Sequence, residues 1–310
     1  MVDWYHPILV QIIPMRRCNL ACGYCNEYDK TSDPVPLDLM LARIDRLAAL
    51  DTQIVTMSGG EPMMHPDLDA IIRRIREHDM MAGLITNGFY LGPDRIKRLN
   101  EAGLEYLQIS IDNVEPDSIS QKSLKTLDKK LEHLAEHAEF EVNINSVVGA
   151  NMPHPEDPRT ITRRAAELGF STSVGILHDE TGQLKPLSPA EIAIYDEVVA
   201  MGQGLYTRIN DFQRKLIDGQ PNDWHCRAGA RYLYVCEDGL VHYCSQQRGF
   251  PGIPLAEYSR EDIKREYYTD KSCAPLCTIG CVHRASKGDD FMNSLVPASI
   301  LPRRTPAVNA

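Results

Sequence analysis

The sequence predicts an α/β protein: a parallel sheet with helices packed outside it, followed by a small cysteine-rich extension. Three observations carry this reading. Six strand-like runs alternate with six helix-like runs over the first two hundred residues, Pro and Gly punctuate the junctions, and the cysteines fall into two groups, one directly after the first strand and one beyond residue 224. A doubly wound sheet and a complete or partial barrel both satisfy strict alternation. In either, a site forms at the carboxyl ends of the strands.

Strands are expected at Ile8–Ile13, Gln53–Met57, Ala82–Thr86, Tyr106–Ile111, Glu141–Val148 and Ser171–Leu177, each rich in Val, Ile or Leu. Between them, Leu37, Met40, Leu41, Ile44 and Leu47 keep helical spacing after Pro36, and Leu68, Ile71, Ile72 and Ile75 do so after Pro66. Further helices are expected at Asp94–Ala102, stopped by Gly103, and at Ser123–Ala138, Pro158–Leu168 and Pro189–Met201. After about Gly204 the pattern changes to a helix ending at Leu216, a linker-like DGQPND and a cysteine-rich segment from Trp224 to Arg284. The expected division is therefore a core over 1–204, an extension over 205–290 and a tail over 291–310 that lies on the surface or is disordered.

Composition narrows the function. The chain has 310 residues, 43% of them hydrophobic and 25% charged, which suits a globular protein with a large core. No apolar run is long enough to span a bilayer, and the N-terminus lacks the basic start and cleavage site of a secretory signal, so a cytoplasmic protein is expected. The formal charge of -10 argues against nucleic acid or an anionic membrane surface as partner. Nine cysteines, clustered in a chain without an export signal, point to metal binding before disulfides.

Cys18, Cys22 and Cys25, in RRCNLACGYC, form a C-x3-C-x2-C set after the first strand. Thiolates are soft ligands suited to iron-sulfur clusters; three leave one iron of a cubane open to another ligand. A structural zinc site is the alternative. After the second strand comes SGGEP, in which Gly59 and Gly60 permit close backbone approach and Glu61 offers a carboxylate to an ammonium group; a tight turn before Pro62 would also explain the glycines. The third strand ends in Thr86-Asn87-Gly88, a turn or, at Asn87, a further polar contact. In the fourth strand Ser110 and Asp112 share a face, and in the fifth Asn143 and Asn145 do. Buried polar side chains need partners, which a polar ligand in a barrel mouth would supply.

The cysteine spacing, its place after the first strand and the SGGEP run after the second resemble the radical S-adenosylmethionine (radical SAM) superfamily over roughly residues 8–200. That resemblance implies a partial (β/α)6 TIM-like barrel. It also implies a 4Fe-4S cluster on Cys18, Cys22 and Cys25 whose open iron is chelated by S-adenosylmethionine, and reductive cleavage to methionine and a 5'-deoxyadenosyl radical that abstracts hydrogen from a substrate. Tyr24 stands where the family places an aromatic beside the adenine; Gly59, Gly60, Glu61, Asn87, Ser110, Asp112 and Asn145 are the other expected cofactor contacts. A flavodoxin- or ferredoxin-type protein is the implied reductant. Many relatives carry an Arg about ten residues after the fourth strand; this chain has Lys122, whose ammonium does not copy the Arg fork.

In the second group, CRAGARYLYVCEDGLVHYC reads as a hairpin turning at Asp238-Gly239 and ending at Cys244, and CAPLCTIGC adds further thiols. This resembles the SPASM or shortened twitch extensions, which implies one auxiliary 4Fe-4S cluster ligated by Cys226, Cys244 and two of Cys273, Cys277 and Cys281; structural zinc is the alternative. Cys236 reads as a buried strand residue or a hydrogen-atom donor. His225 and His242 read as packing residues or partners of ligands.

Three functions follow. The first is a radical SAM enzyme acting on a small molecule. The second is a peptide-maturing enzyme of the same superfamily; such proteins often carry a winged-helix domain ahead of the barrel, and only seven residues precede the first expected strand. The third is a non-catalytic iron-sulfur carrier or zinc-stabilised module.

Overall fold

The computed structural model describes residues 5–149, 152–177, 184, 186–202 and 212–294. Its framework is a single nine-stranded sheet. Strands β1 (Leu9–Met15), β2 (Ile54–Gly59), β3 (Met81–Thr86), β4 (Tyr106–Ser110), β5 (Glu141–Gly149) and β6 (Ser171–Leu177) lie side by side in chain order, all parallel. Helices α1 (Leu37–Ala49), α2 (Leu68–Glu77), α3 (Pro93–Ala102), α4 (Leu124–His137) and α5 (Asp157–Glu167) form the crossovers, and α6 (Pro189–Met201) follows β6.

The strand order decides between the two architectures left open by the sequence. It never reverses, so there is no switch point, and crossovers of one hand put every helix on the same face. A sheet covered on one face curls to protect the other, which makes this a partial barrel. Period-2 alternation separates the faces. Val10, Ile12, Val55, Met57, Ala82, Leu84, Leu107, Ile109, Val142 and Ile144 join one apolar cluster with Ile44, Ile72, Leu99 and Leu131 of the helices. The other face carries Gln11, Thr56, Ser58, Gln108, Ser110, Asn143, Asn145, Ser171 and Ser173. Helix ends follow local chemistry: Gly103 caps α3 in the left-handed conformation at φ 85°, and Ser188 and Glu191 close a reciprocal cap on α6.

Beyond residue 211 come α7 (Phe212–Ile217), β7 (Tyr232–Val235), β8 (Leu240–His242), β9 (Pro251–Pro254), α8 (Arg260–Tyr268) and α9 (Gly280–Ser294). The expected hairpin is present, with β7 and β8 antiparallel. Unforeseen is where it attaches: β7 runs parallel to β1 in register Leu9↔Tyr232 to Ile12↔Val235, so the extension continues the core sheet. Helix α9 lies over the polar face, where Cys281, Arg284 and Ala285 close a cavity of about 200 Å³ with Gln11, Thr56 and Gln108.

Element bounds match expectation within two residues over the core, and β6 and α6 coincide with it. Of the helix expected before Leu216, residues 203–211 lie outside the described residues. Helix α9 continues to Ser294, within the span expected as a tail; residues 295–310 lie outside the described residues.

Candidate functional site

The chain leaving β1 carries the first three cysteines across the carboxyl end of the sheet. Each sulfur has a polar neighbour. Cys18 Sγ accepts from the Leu20 N–H at 3.4 Å and lies 3.7 Å from Asn87 Nδ2; Cys25 Sγ accepts from the Glu27 N–H at 3.4 Å; Cys22 Sγ is 3.6 Å from Ser120 Oγ. The loop is held by the Cys25 N–H on the Cys22 carbonyl at 3.1 Å and by Lys30, whose ammonium donates to the carbonyls of Cys18 and Leu20. Burial pushes the Cys18 and Cys25 thiols above their ordinary pKa, and the proximity of the three sulfurs adds to the effect.

Gly59 and Gly60 are needed for close approach, but to the chain itself. A Cβ at Gly60 would sit 2.2 Å from the Arg16 carbonyl oxygen, and Gly59 adopts φ 114° with its Cβ position 2.9 Å from the Met15 oxygen. The exit of β2 thereby presses on the segment just before Cys18, and the Gly60 and Glu61 N–H groups donate to the Met15 and Arg17 carbonyls. Glu61 is fully enclosed. Its carboxylate accepts from the Met63 N–H at 2.9 Å, Thr86 Oγ1 at 2.7 Å and the Asn87 N–H at 2.8 Å. Three protein donors thus occupy a carboxylate read from the sequence as an acceptor for a ligand ammonium. Burial raises its pKa, partly offset by those bonds. Asn87 in turn donates to Asn19 Oδ1 at 2.8 Å, so β2, β3 and the cysteine loop are tied together.

A second buried cluster lies beneath the loop. Asp112 Oδ2 accepts from the Tyr24 hydroxyl and from Ser120 Oγ at 2.6 Å, and pairs with Lys122 Nζ at 3.0 Å; the ammonium also reaches the Tyr24 oxygen. The Lys122 side chain is 13% exposed and that of Asp112 0%. Lys122, which stands where many relatives carry an Arg, is therefore withdrawn from solvent and paired with a carboxylate. Sequence reasoning missed Ser120 as well; its one signal is Asp117, whose carboxylate accepts the Ile119 and Ser120 N–H groups in a local turn.

Ser110 and Asn145 are paired across β4 and β5 on the polar face, and Asn145 Oδ1 accepts from Ser173 Oγ at 2.9 Å. Asn143 is buried between Ser171 and Ser173 and bonded to both, so it belongs to the sheet's internal ladder.

In the extension, the thiols of Cys226, Cys244, Cys273 and Cys277 lie near enough to influence one another. Burial is the main cause of the rise to about 11 for Cys244 and about 12 for Cys277, with the neighbouring thiols contributing. Cys281, at the start of α9, faces the polar side of the sheet and packs against the buried cluster that contains Cys226 and Cys244. The Cys273–Cys277 turn is clamped by Asn222, whose Nδ2 donates to the Ala274 and Cys277 carbonyls, and by Gln213, which donates to the Thr278 carbonyl. Cys236 is buried; Asp238 and His242 lie beside it within 4.8 Å, and His242 Nδ1 accepts the Gly249 N–H. His225 is exposed and so is not a packing residue. The two regions meet where Tyr234 donates to Glu27, two residues after Cys25, and Glu27 pairs with Arg248 at 2.6 Å.

A cavity of about 710 Å³ adjoins the second cysteine group. Among the described residues, Ile176, Leu187, Leu216, Leu276 and Ile279 line it beside Cys244, Cys273 and Cys277, with Asp218, Gln246 and Gln247 as polar neighbours. Among the described residues, no helix is long and apolar enough to cross a membrane.

The sequence model of the Radical SAM superfamily matches residues 12–178. Similar curated proteins include Fe-coproporphyrin III synthase of Methanosarcina barkeri, 33% identical over 36% of this chain and 28% of that protein, and GTP 3',8-cyclase of Clostridium perfringens, 33% identical over 43% of this chain and 44% of that one. PqqA peptide cyclase of Granulibacter bethesdensis is 32% identical over 33% of this chain and 28% of its own length. The chain thus spans less than half the length of these relatives. Among solved structures, Streptococcus suis SuiB aligns with a TM-score of 0.62 at 16% identity, covering 91% of this chain and 72% of SuiB. Native anSMEcpe with bound AdoMet and Cp18Cys peptide aligns with a TM-score of 0.60 at 15% identity over 93% of this chain and 97% of its own. The barrel of β1–β6, the cysteine loop at its mouth and a family match over more than half the sequence lead to one conclusion: the chain belongs to the radical SAM superfamily.

Proposed function

We propose that this protein cleaves S-adenosylmethionine reductively and uses the resulting radical to abstract hydrogen from a small-molecule substrate, with an auxiliary iron-sulfur cluster in its extension. The observation that carries the reading is the gathering of Cys18, Cys22 and Cys25 at the carboxyl end of β1, each sulfur beside a protein polar group. The donor set fits a cubane with one open corner. Three soft thiols are present, and their sulfurs do not all lie within 4.8 Å of one another, wider than the ~3.8 Å that bonds of ~2.3 Å to one tetrahedral zinc would impose. When bound, the cluster supplies the electron that splits the carbon-sulfur bond of S-adenosylmethionine, giving methionine and a 5'-deoxyadenosyl radical.

The protein's own part is to bind, orient and exclude water. Leu20 and Glu27 N–H groups steady two of the sulfurs, while Gly59, Gly60 and Glu61 fix the loops around the cofactor's place. Asn87 links those loops. Ser110 and Asn145, on the polar face, are the groups best disposed to meet the ribose or methionine part, and Tyr24 the adenine. Cys226, Cys244, Cys273 and Cys277 are the proposed auxiliary ligands, with Cys281 outside that set. Among the described residues the adjoining cavity is lined by apolar side chains together with Asp218, Gln246 and Gln247, which suits a substrate with apolar and neutral polar groups. A peptide remains the second reading, favoured by the apolar lining.

Anaerobic reconstitution tests this. Wild type should bind about eight irons per chain and form 5'-deoxyadenosine with dithionite. Cys18→Ala, Cys22→Ala and Cys25→Ala should each abolish that product, whereas Cys244→Ala should lose about half the iron and retain cleavage. Fully loaded wild type that makes no deoxyadenosine contradicts the proposal.

A further inference from the structure

The mechanism leaves unused the buried pair beneath the cysteine loop. We infer that Lys122 and Asp112 together set the reduction potential of the cluster held by Cys18, Cys22 and Cys25, the ammonium making that cluster easier to reduce and the carboxylate harder. This rests on the reading that those cysteines hold the cluster.

The argument is electrostatic. Reduction adds one electron to the site, so a fixed positive charge nearby stabilises the reduced form more than the oxidised form, and a negative charge does the reverse. Both groups are withdrawn from water, at 13% and 0% side-chain exposure, so solvent screens them little. Both are coupled to the ligands. Lys122 lies within electrostatic reach of Cys22 and Cys25, and Asp112 connects to Cys22 through Ser120, whose Oγ is 2.6 Å from the carboxylate and 3.6 Å from the sulfur.

The geometry also holds the ammonium in one place. It is 3.0 Å from Asp112 Oδ2, bonded to the Tyr24 oxygen and 5.0 Å from the centre of that ring. Tyr24 sits between Cys22 and Cys25 in the chain, so the charge is anchored to the ligand loop itself. A lysine only completing a fold would not need this place; a surface pair would satisfy it at lower desolvation cost.

Opposite signs for the two members make the test discriminating. The reconstituted full-length protein is titrated with dithionite and mediators in the absence of S-adenosylmethionine, and the cluster is followed by its electron paramagnetic resonance signal. The relevant signal is the one that changes when S-adenosylmethionine is added to a parallel sample. Lys122→Met should move the midpoint to more negative potential, lowering the reduced-to-oxidised ratio at the wild-type midpoint at least tenfold, equivalent to 59 mV for one electron. Lys122→Gln serves if Lys122→Met does not load iron. Lys122→Arg should stay within threefold of wild type, and Asp112→Asn should move the midpoint the other way. Midpoints that do not move, or that move in the same direction for the Lys122 and Asp112 variants at equal iron content, overturn the inference. A wild-type protein with no signal that responds to S-adenosylmethionine fails the cluster reading instead, before any variant is compared.

Discussion

Single residues divide into those whose chemistry is visible in their type and those whose role depends on what the fold brings beside them. The three thiols at Cys18, Cys22 and Cys25 are of the first kind, because spacing and softness alone restrict what they hold. Glu61 is of the second. Its place after two glycines suggests an acceptor for a ligand, but Thr86 and Asn87 come from another strand to occupy it, and no local pattern announces them. Lys122 belongs with it, since the carboxylate that buries it lies on the chain before a turn. The glycines before Glu61 are legible as a need for space, though not as space for the Arg16 and Arg17 carbonyls. Gly60→Ala should therefore destabilise the protein by about 1–3 kcal/mol through overpacking against rigid backbone, and lower iron retention at the first site. Urea unfolding and iron analysis of the purified variant check both.

Elements were legible where periodicity is strong. Six strands and six helices of the core lie where apolar spacing put them, and Asp238-Gly239 marks the hairpin. Not legible was the pairing of β7 with β1, which joins segments more than two hundred residues apart and leaves no local trace. The choice among Cys273, Cys277 and Cys281 was open for a similar reason. Cys273 and Cys277 flank a short 3-10 turn over Ala274–Leu276, whereas Cys281 opens a helix that faces the sheet. Asn222 holds that turn by two carbonyls. Asn222→Ala should loosen the second cysteine group, and iron content should fall from about eight toward about four per chain while deoxyadenosine formation persists. Parallel iron and product assays read the two separately.

At the scale of the whole molecule, the extension is built into the barrel. Arg43 and Arg46 of α1 donate to carbonyls of the hairpin and of the chain after β9, and Glu27 joins the first loop to Tyr234 and Arg248. The C-terminal helix is locked by Asp289, fully buried, which pairs with Arg231 at 2.5 Å and Arg227 at 3.1 Å and accepts from Tyr267. Removing that carboxylate strands buried cations. Asp289→Ala should cost about 3–5 kcal/mol in urea unfolding of the reconstituted protein.

The claim on which all of this turns is that Cys18, Cys22 and Cys25 present an iron with a free coordination position. The reduced, reconstituted protein answers it in one comparison, its electron paramagnetic resonance spectrum with and without S-adenosylmethionine, for wild type and for Cys22→Ala. We expect the wild-type spectrum to change on addition and the variant to lack the responsive component. A fully loaded wild type whose spectrum ignores S-adenosylmethionine, or a variant that still responds, would contradict the account.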